Sequence, residues 1–179
     1  MHDLVVNELR RYLAETAEDF FVQGPWSEDE FRERIGRYEA ASLRLQATMC
    51  CIAHWGEEEH KPLFKKIMSR LTERAQSESG LVVWLGLRWY PALLVTYCGG
   101  IAAVAAGRYD NLASLLTARV SSGRSASETK PLASALARGS YRAQDSFKTL
   151  PGHERHHVPR SEYLFIRAQC LGSQFKWND

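Results

Sequence analysis

The chain has 179 residues, 45% of them hydrophobic and 11% aromatic, with a formal net charge of +2. That is one domain's length with enough apolar material for a core, which excludes a disordered polypeptide. The charge excess is too small to announce a nucleic-acid partner, although it is uneven. Residues 1–80 carry 11 Lys/Arg against 15 Asp/Glu, and residues 81–179 carry 12 against 6. The second half is therefore the one suited to phosphates or to an acidic partner.

Hydrophobic residues at steps of three and four predict a helix over 4–22, with Leu4, Val5, Leu9, Tyr12, Leu13, Phe20 and Phe21 on one stripe. Gly24 and Pro25 stop it. Ser27 and Glu30 have the spacing of a capping box. The following helix places Phe31, Ile35, Tyr38, Ser42, Leu45, Met49 and Ile52 on one face and ends near Gly56. Glu57, Glu58 and Glu59 sit where a helix N-terminus favours negative charge, and Pro62 is tolerated in a first turn. Leu63, Phe64, Ile67, Met68 and Leu71 continue the apolar face.

After the loop at 76–80, "LVVWLGLRWY" reads as helix, with Pro91 restarting the next one. From Trp89 to Gly107 no residue is charged, long enough to raise the question of a membrane span. Its richness in Ala and Gly argues for a tightly packed core helix instead. "YCGGIAAVAAGRYDNLASLL" (97–116) is a helical hairpin. Gly107 is expected at the C′ position with positive φ, Asp110 or Asn111 as the cap of the next helix, and Gly99, Gly100, Ala103 and Ala106 at a close helix contact. Gly80, in a loop, should tolerate a side chain better than Gly107.

Residues 121–130 read as a mobile polar loop. Pro131 opens a helix to about Leu150, weakened by Gly139. Residues 150–160 form another loop, Ser161 starts a short last helix, and 172–179 is an irregular tail. The expected fold is all-α: antiparallel helical hairpins in a single domain over residues 1–179, with a tetratricopeptide-like hairpin at 92–120.

His153-Glu154-Arg155-His156-His157 matches the zinc-peptidase pattern H-E-x-x-H. A zinc site needs a helix through all five residues so that both His face the metal. Pro151-Gly152 and Pro159 bracket the motif, Val158 is pushed out of the α region, and no third ligand follows at the usual spacing. Cys50, His54 and His60 are a second grouping with metal-ligand spacing, read more simply as a core thiol with a bordering His. No phosphate-binding loop, dinucleotide fingerprint or nucleophile elbow is present, and no cofactor is expected. Cys50, Cys51, Cys98 and Cys170 show no disulfide framework, which points to reduced thiols and a cytoplasmic setting. The five Trp and seven Tyr could stack on bases, but Trp84 and Trp89 lie in the most apolar stretch and read as core.

Three stretches carry a resemblance: "RYEAASLRLQATMCCIAHWGEEEH" (37–60), "SGLVVWLGLRWYPALLVTYCGGIAAVAAGRYDNLASLLT" (79–117) and "LPGHERHHVPRSEYLF" (150–165). Through W-G-x-x-E-H, Y-P-A-L-L, A-A-G-R-Y and G-x-E-R-H-x-x-P-x-S, residues 30–165 resemble the helical C-terminal region of large bacterial proteins. Those proteins carry an N-terminal module of the Schlafen/AlbA type, associated with ATP or DNA binding, and some are connected with antiphage defence. His153 and His157 fall outside the matching pattern. The chain begins without such a module and ends earlier than the resemblance implies, as a piece of a larger protein or a short relative would.

The expected function is a non-catalytic helical interaction or sensor domain that engages a protein partner or a second copy, without a membrane. The alternative is weak nucleic-acid binding through Arg119, Arg124, Lys130, Arg138 and Arg142. The more distant alternative is a zinc hydrolase through His153, Glu154 and His157.

Overall fold

The structure, a computed structural model, describes residues 1–17, 24–76, 79–121, 128–155 and 157–174, the side chains of 168–174 excepted. Helix α1 (His2–Glu15) buries Val5, Leu9 and Tyr12 and leaves Leu4 exposed. It ends seven residues earlier than its periodicity predicts, where Thr16 Oγ1 donates to the Tyr12 carbonyl at 2.8 Å. Phe20 and Phe21 lie outside the described residues.

Helix α2 (Glu28–Trp55) is the central element, and every residue of its predicted stripe is buried. Ser27 accepts from Glu30 N at 3.1 Å, half of the expected capping box. The Glu30 carboxylate instead holds Arg34, whose Nη2 and Nε approach at 2.8 and 3.0 Å. Arg34 is buried, with its guanidinium 3.9 Å from the centre of the Trp84 ring. There the cation is paired and also faces an aromatic quadrupole.

A single 3-10 turn (Glu58–His60) leads into α3 (Lys61–Ala75), which presents Leu63, Phe64, Ile67, Met68 and Leu71 to the core. Helix α4 (Val82–Leu87) confirms that the apolar run after the loop is not a strand. Gly86 is required there by close approach. A Cβ at this position would lie 2.6 Å from the backbone nitrogen of Ala143.

Helix α5 (Tyr90–Ala105) makes its most extensive contact with α2. Gly99 permits it: a Cβ would sit 2.6 Å from Met49 Cγ. The chain then turns into α6 (Tyr109–Thr117). Gly107 has φ +66°, its N–H donates to the Val104 carbonyl, and the Arg108 N–H donates to the Ala103 carbonyl. These are the two bonds of a Schellman cap, as the small-residue run before Gly107 implies. The expected caps of α6 are corrected, however. Arg108 occupies the N-cap position without a side-chain capping bond to α6, and Asn111 turns away to the end of α2. Gly80 also departs from expectation. Its φ is +131°, so it too sits where side chains are strained.

The predicted loop at 121–130 is flanked by a two-stranded antiparallel ribbon, β1 (Arg119–Ser121) and β2 (Thr129–Pro131), with Val120 opposite Lys130. It is a small exception to an otherwise all-α architecture. Residues 122–127 lie outside the described set. Helix α7 (Leu132–Ser140) is shorter than expected and gives way to 3-10 turns at Tyr141–Ala143 and Asp145–Thr149. Helix α8 (Pro159–Gln174) is longer than expected and takes in the first residues of the predicted irregular tail.

The core is continuous from Val5 on α1 to Leu164 on α8. Phe31, Trp84 and Phe147 meet at its aromatic centre, with Phe31 and Phe147 edge to face at 5.3 Å. Each fully buried ring of this kind contributes about 1.5–3 kcal/mol through removal from water. No helix among the described residues is long and apolar enough to cross a membrane; the uncharged run over 89–107 buries Tyr90, Leu94, Val95, Cys98 and Ala103 and leaves Ile101 and Val104 exposed.

Candidate functional site

The zinc motif lies on turns. Residues 151–155 are turn and coil, and α8 begins only at Pro159, so no helix aligns His153 with His157. His153 is buried with its ring edge-on to Tyr163 at 5.4 Å. Glu154 is exposed and accepts from the Gly152 N–H at 3.1 Å. The Cys50, His54 and His60 grouping disperses as well. Cys50 is buried beside Cys98, His54 lies edge-on to Trp55, and His60 Nδ1 accepts from the Glu57 N–H at 3.2 Å. Among the described residues no three potential ligands converge.

A polar network does join α2, α5 and α8. Glu39 Oε1 accepts from Tyr90 Oη at 2.7 Å and Tyr163 Oη at 3.0 Å, and Arg167 Nε lies 3.2 Å from the same oxygen. Burial first, and the Glu39 charge second, push the Tyr163 phenol up to about 12. Both phenols therefore remain donors, and the network has the character of a structural clamp. Tyr90 is the first residue of the Y-P-A-L-L stretch.

A cleft of about 640 Å³ lies beside the zinc motif, lined by Gly152, His153, Glu162, Phe165 and Ile166 among others, and two further surface features have the shape of binding sites. The first is a groove of about 470 Å³ on the outer side of the α5–α6 hairpin, lined by Tyr97, Gly100, Ile101, Val104, Leu112 and Leu116 among others. Its walls are almost wholly carbon. Val104 is 50% exposed and Ile101 37% exposed, although both belong to an uncharged, strongly apolar helix. Gly100 and Ala105 supply its depth, because small side chains leave the space between the two helices unfilled. The periodicity of 97–116 located the hairpin but not this face. Sequence gives a helix its apolar residues without saying which of them a neighbouring element covers.

The second is a pocket of about 210 Å³ between Trp89 and α7, lined by Lys130, Ser134, Ala135, Arg138 and Gly139. A Cβ at Gly139 would lie 2.2 Å from the Trp89 indole, so the glycine that weakens α7 is what lets the ring lie against it. Trp89 is only partly buried. The sequence reading of it as core is half right.

The five predicted basic residues divide. Lys130 and Arg138 come together at this pocket. Lys130 pairs with Glu128 at 2.8 Å, an exposed and weakly stabilising contact. Lys130, and more weakly Arg138, hold the Glu128 carboxyl below the usual range. Arg119 is tied to the ribbon through Thr129, at 3.2 Å to Oγ1 and 2.7 Å to the carbonyl. Arg142 is exposed on the 3-10 turn after α7. Arg124 lies outside the described residues.

No known protein family matches the chain, and no curated protein or solved structure matches it.

Proposed function

We propose that the chain is a non-catalytic helical interaction module that binds an amphipathic helix of a protein partner in the α5–α6 groove. One observation carries this reading: an apolar groove of about 470 Å³, walled almost wholly by carbon, opens to solvent on the α5–α6 hairpin. Helix-in-groove recognition uses apolar anchors at i, i+3, i+4 and i+7, and the groove offers them carbon walls with little polar competition. It lies in the half of the chain with 12 Lys/Arg against 6 Asp/Glu, which favours a partner helix with acidic flanks. The resemblance to helical C-terminal regions of large bacterial proteins, some of them connected with antiphage defence, suggests an adaptor or sensor role.

A designed amphipathic peptide with a Leu/Ile face and Glu flanks, labelled for fluorescence anisotropy, tests the proposal. It should bind the parent protein and lose at least tenfold in affinity against Val104→Glu. The same apolar face with Lys flanks should bind more weakly. Failure of both peptides to bind sinks the reading. Self-association in sedimentation that Val104→Glu abolishes would make the occupant a second copy instead.

A second reading, weak nucleic-acid binding, is favoured by the convergence of Trp89, Lys130 and Arg138. An aromatic wall beside two cations is the arrangement that takes a base and its phosphate. Titrating a single-stranded oligonucleotide at low salt and following Trp fluorescence tests it. Binding should weaken with salt and with Arg138→Ala, and stay unchanged in Val104→Glu. Absence of binding at low salt removes this reading and leaves the first untouched.

A further inference from the structure

The pocket between Trp89 and α7 has a volume of about 210 Å³. That is below the roughly 300–1,000 Å³ that takes a drug-sized molecule. It suits one planar ring and a small polar group, and is too short for the strand-tracking groove of a single-stranded nucleic-acid binder. One wall is the Trp89 indole, which lies on Gly139. Ser134 and Arg138 stand one turn apart on α7 and line a second wall. Lys130 comes in from β2, which is held by its pairing with Val120 and by Arg119 Nη2 donating to the Thr129 carbonyl at 2.7 Å. An aromatic ring, a hydroxyl and two cations therefore share one recess.

An acid stands beside those cations. Glu128 is two residues before Lys130 on extended chain, so both side chains leave the same side of it. Its Oε1 lies 2.8 Å from Lys130 Nζ. Lys130 first, and Arg138 after it, hold the Glu128 carboxyl below the usual range, so it is ionised at neutral pH. An anion entering the pocket must take Lys130 from this carboxylate. The pair is exposed, which makes it weak and readily displaced. A phosphate monoester carries about −1.5 to −2 charges at pH 7 and outcompetes a single carboxylate. A phosphodiester inside a strand carries one charge and has no such advantage.

We infer that the pocket takes one nucleoside monophosphate, free or at the 5′ end of a strand, with its base against Trp89 and its phosphate between Lys130 and Arg138. Glu128 is the internal competitor for the phosphate's place. This rests on the nucleic-acid reading of the pocket and narrows it from a strand to a single phosphorylated nucleotide.

Calorimetric titrations of the full chain at low salt test it. Adenosine 5′-monophosphate should bind, and adenosine and inorganic phosphate should each bind about tenfold more weakly. Arg138→Gln should weaken the nucleotide by a similar factor, and Glu128→Gln should tighten it about two- to fivefold. Both side chains are exposed, so neither change threatens the fold. An oligodeoxyadenylate with a 5′-phosphate should bind more tightly than its 5′-hydroxyl twin. Binding of the free nucleotide but of neither strand supports the inference with a free ligand and ends the nucleic-acid reading. Equal binding of the two strands without the nucleotide overturns the inference and leaves that reading standing. Binding of none of these probes overturns both. Nucleotide binding that Glu128→Gln weakens, or that Arg138→Gln leaves unchanged, also overturns the inference.

Discussion

Asn111 Nδ2 donates to the Gly56 carbonyl at 2.9 Å and also to the Ala53 carbonyl at 3.1 Å. A residue in the first turn of α6 thus satisfies carbonyls that the end of α2 leaves open. Arg108 Nη2 joins it on the Gly56 carbonyl at 2.7 Å, and Arg108 Nη1 lies 3.5 Å from Glu57. Lys61 bridges Asp110, at 3.2 Å, and Glu58. The W-G-x-x-E-H and A-A-G-R-Y stretches, fifty residues apart in the chain, are therefore two sides of one joint. Gly56 belongs there because a Cβ would sit 2.2 Å from the Ile52 carbonyl oxygen.

Asn111 is 1% exposed, so its replacement cannot be repaired by water. Asn111→Leu should destabilise the domain by about 1–3 kcal/mol, since the Ala53 carbonyl loses its side-chain donor and the Gly56 carbonyl keeps only Arg108. Asn111→Asp should be worse, because a carboxylate would face two carbonyl oxygens. Urea unfolding of the three proteins checks both the size and the order.

Gly107→Val should destabilise by about 1–2 kcal/mol, through the left-handed backbone alone, since a Cβ there meets nothing within 4 Å. Ala103, which is fully buried, gives a contrasting case. Ala103→Leu should lose about 1–3 kcal/mol through overpacking. Gly36, exposed on α2 with open space around it, should move the other way. Gly36→Ala is expected to stabilise by about 0.5–1 kcal/mol. Gly80→Val is no neutral control, because the φ of +131° at that position penalises any side chain.

Alkaline pH should unfold the protein early. The folded Tyr163 phenol is raised to about 12, and Tyr12, Tyr38 and Tyr90 are raised as well. A group whose folded pKa lies above its unfolded value stabilises fully below the unfolded value, near 10, and loses that contribution as pH climbs to the folded one. Stability should be level up to about pH 10 and fall steeply from 10 to 12. Tyr163→Phe should make that fall shallower. A flat profile to pH 12 would show that these phenols are not enclosed.

Protein purified without chelator should contain no stoichiometric zinc by elemental analysis, and His153→Ala should leave that unchanged. The same variant should lose some thermal stability, because it removes a buried ring from Tyr163. Bound zinc lost on His153→Ala would restore the hydrolase alternative.

Much of this architecture was legible in the sequence for local reasons. Ser27, Pro62, Pro91 and Gly107 each act within one turn of the chain, and the predicted stripe on α2 needs only the helical period. What was hidden depends on partners far away in sequence. Asn111 reads locally as a helix cap, and only the end of α2 gives it another task. Residues 121–130 read as a polar loop, and the ribbon that borders it was missed because strands of three residues leave no periodicity. Leu150 was a poor end-point for α7, since 3-10 turns share the composition of a weak helix. The groove was hidden for the same reason: Ile101 and Val104 are as apolar as the buried Val95 beside them in the helix.

Methyl NMR of the parent protein titrated with the Glu-flanked amphipathic peptide tests the interaction reading most directly. Methyl signals of Ile101, Val104, Leu112 and Leu116 should shift together and saturate, while those of Leu132 and Leu136 on α7 stay in place. Saturating shifts confined to α7, or no shift at Ile101 and Val104 at any peptide concentration, would contradict it.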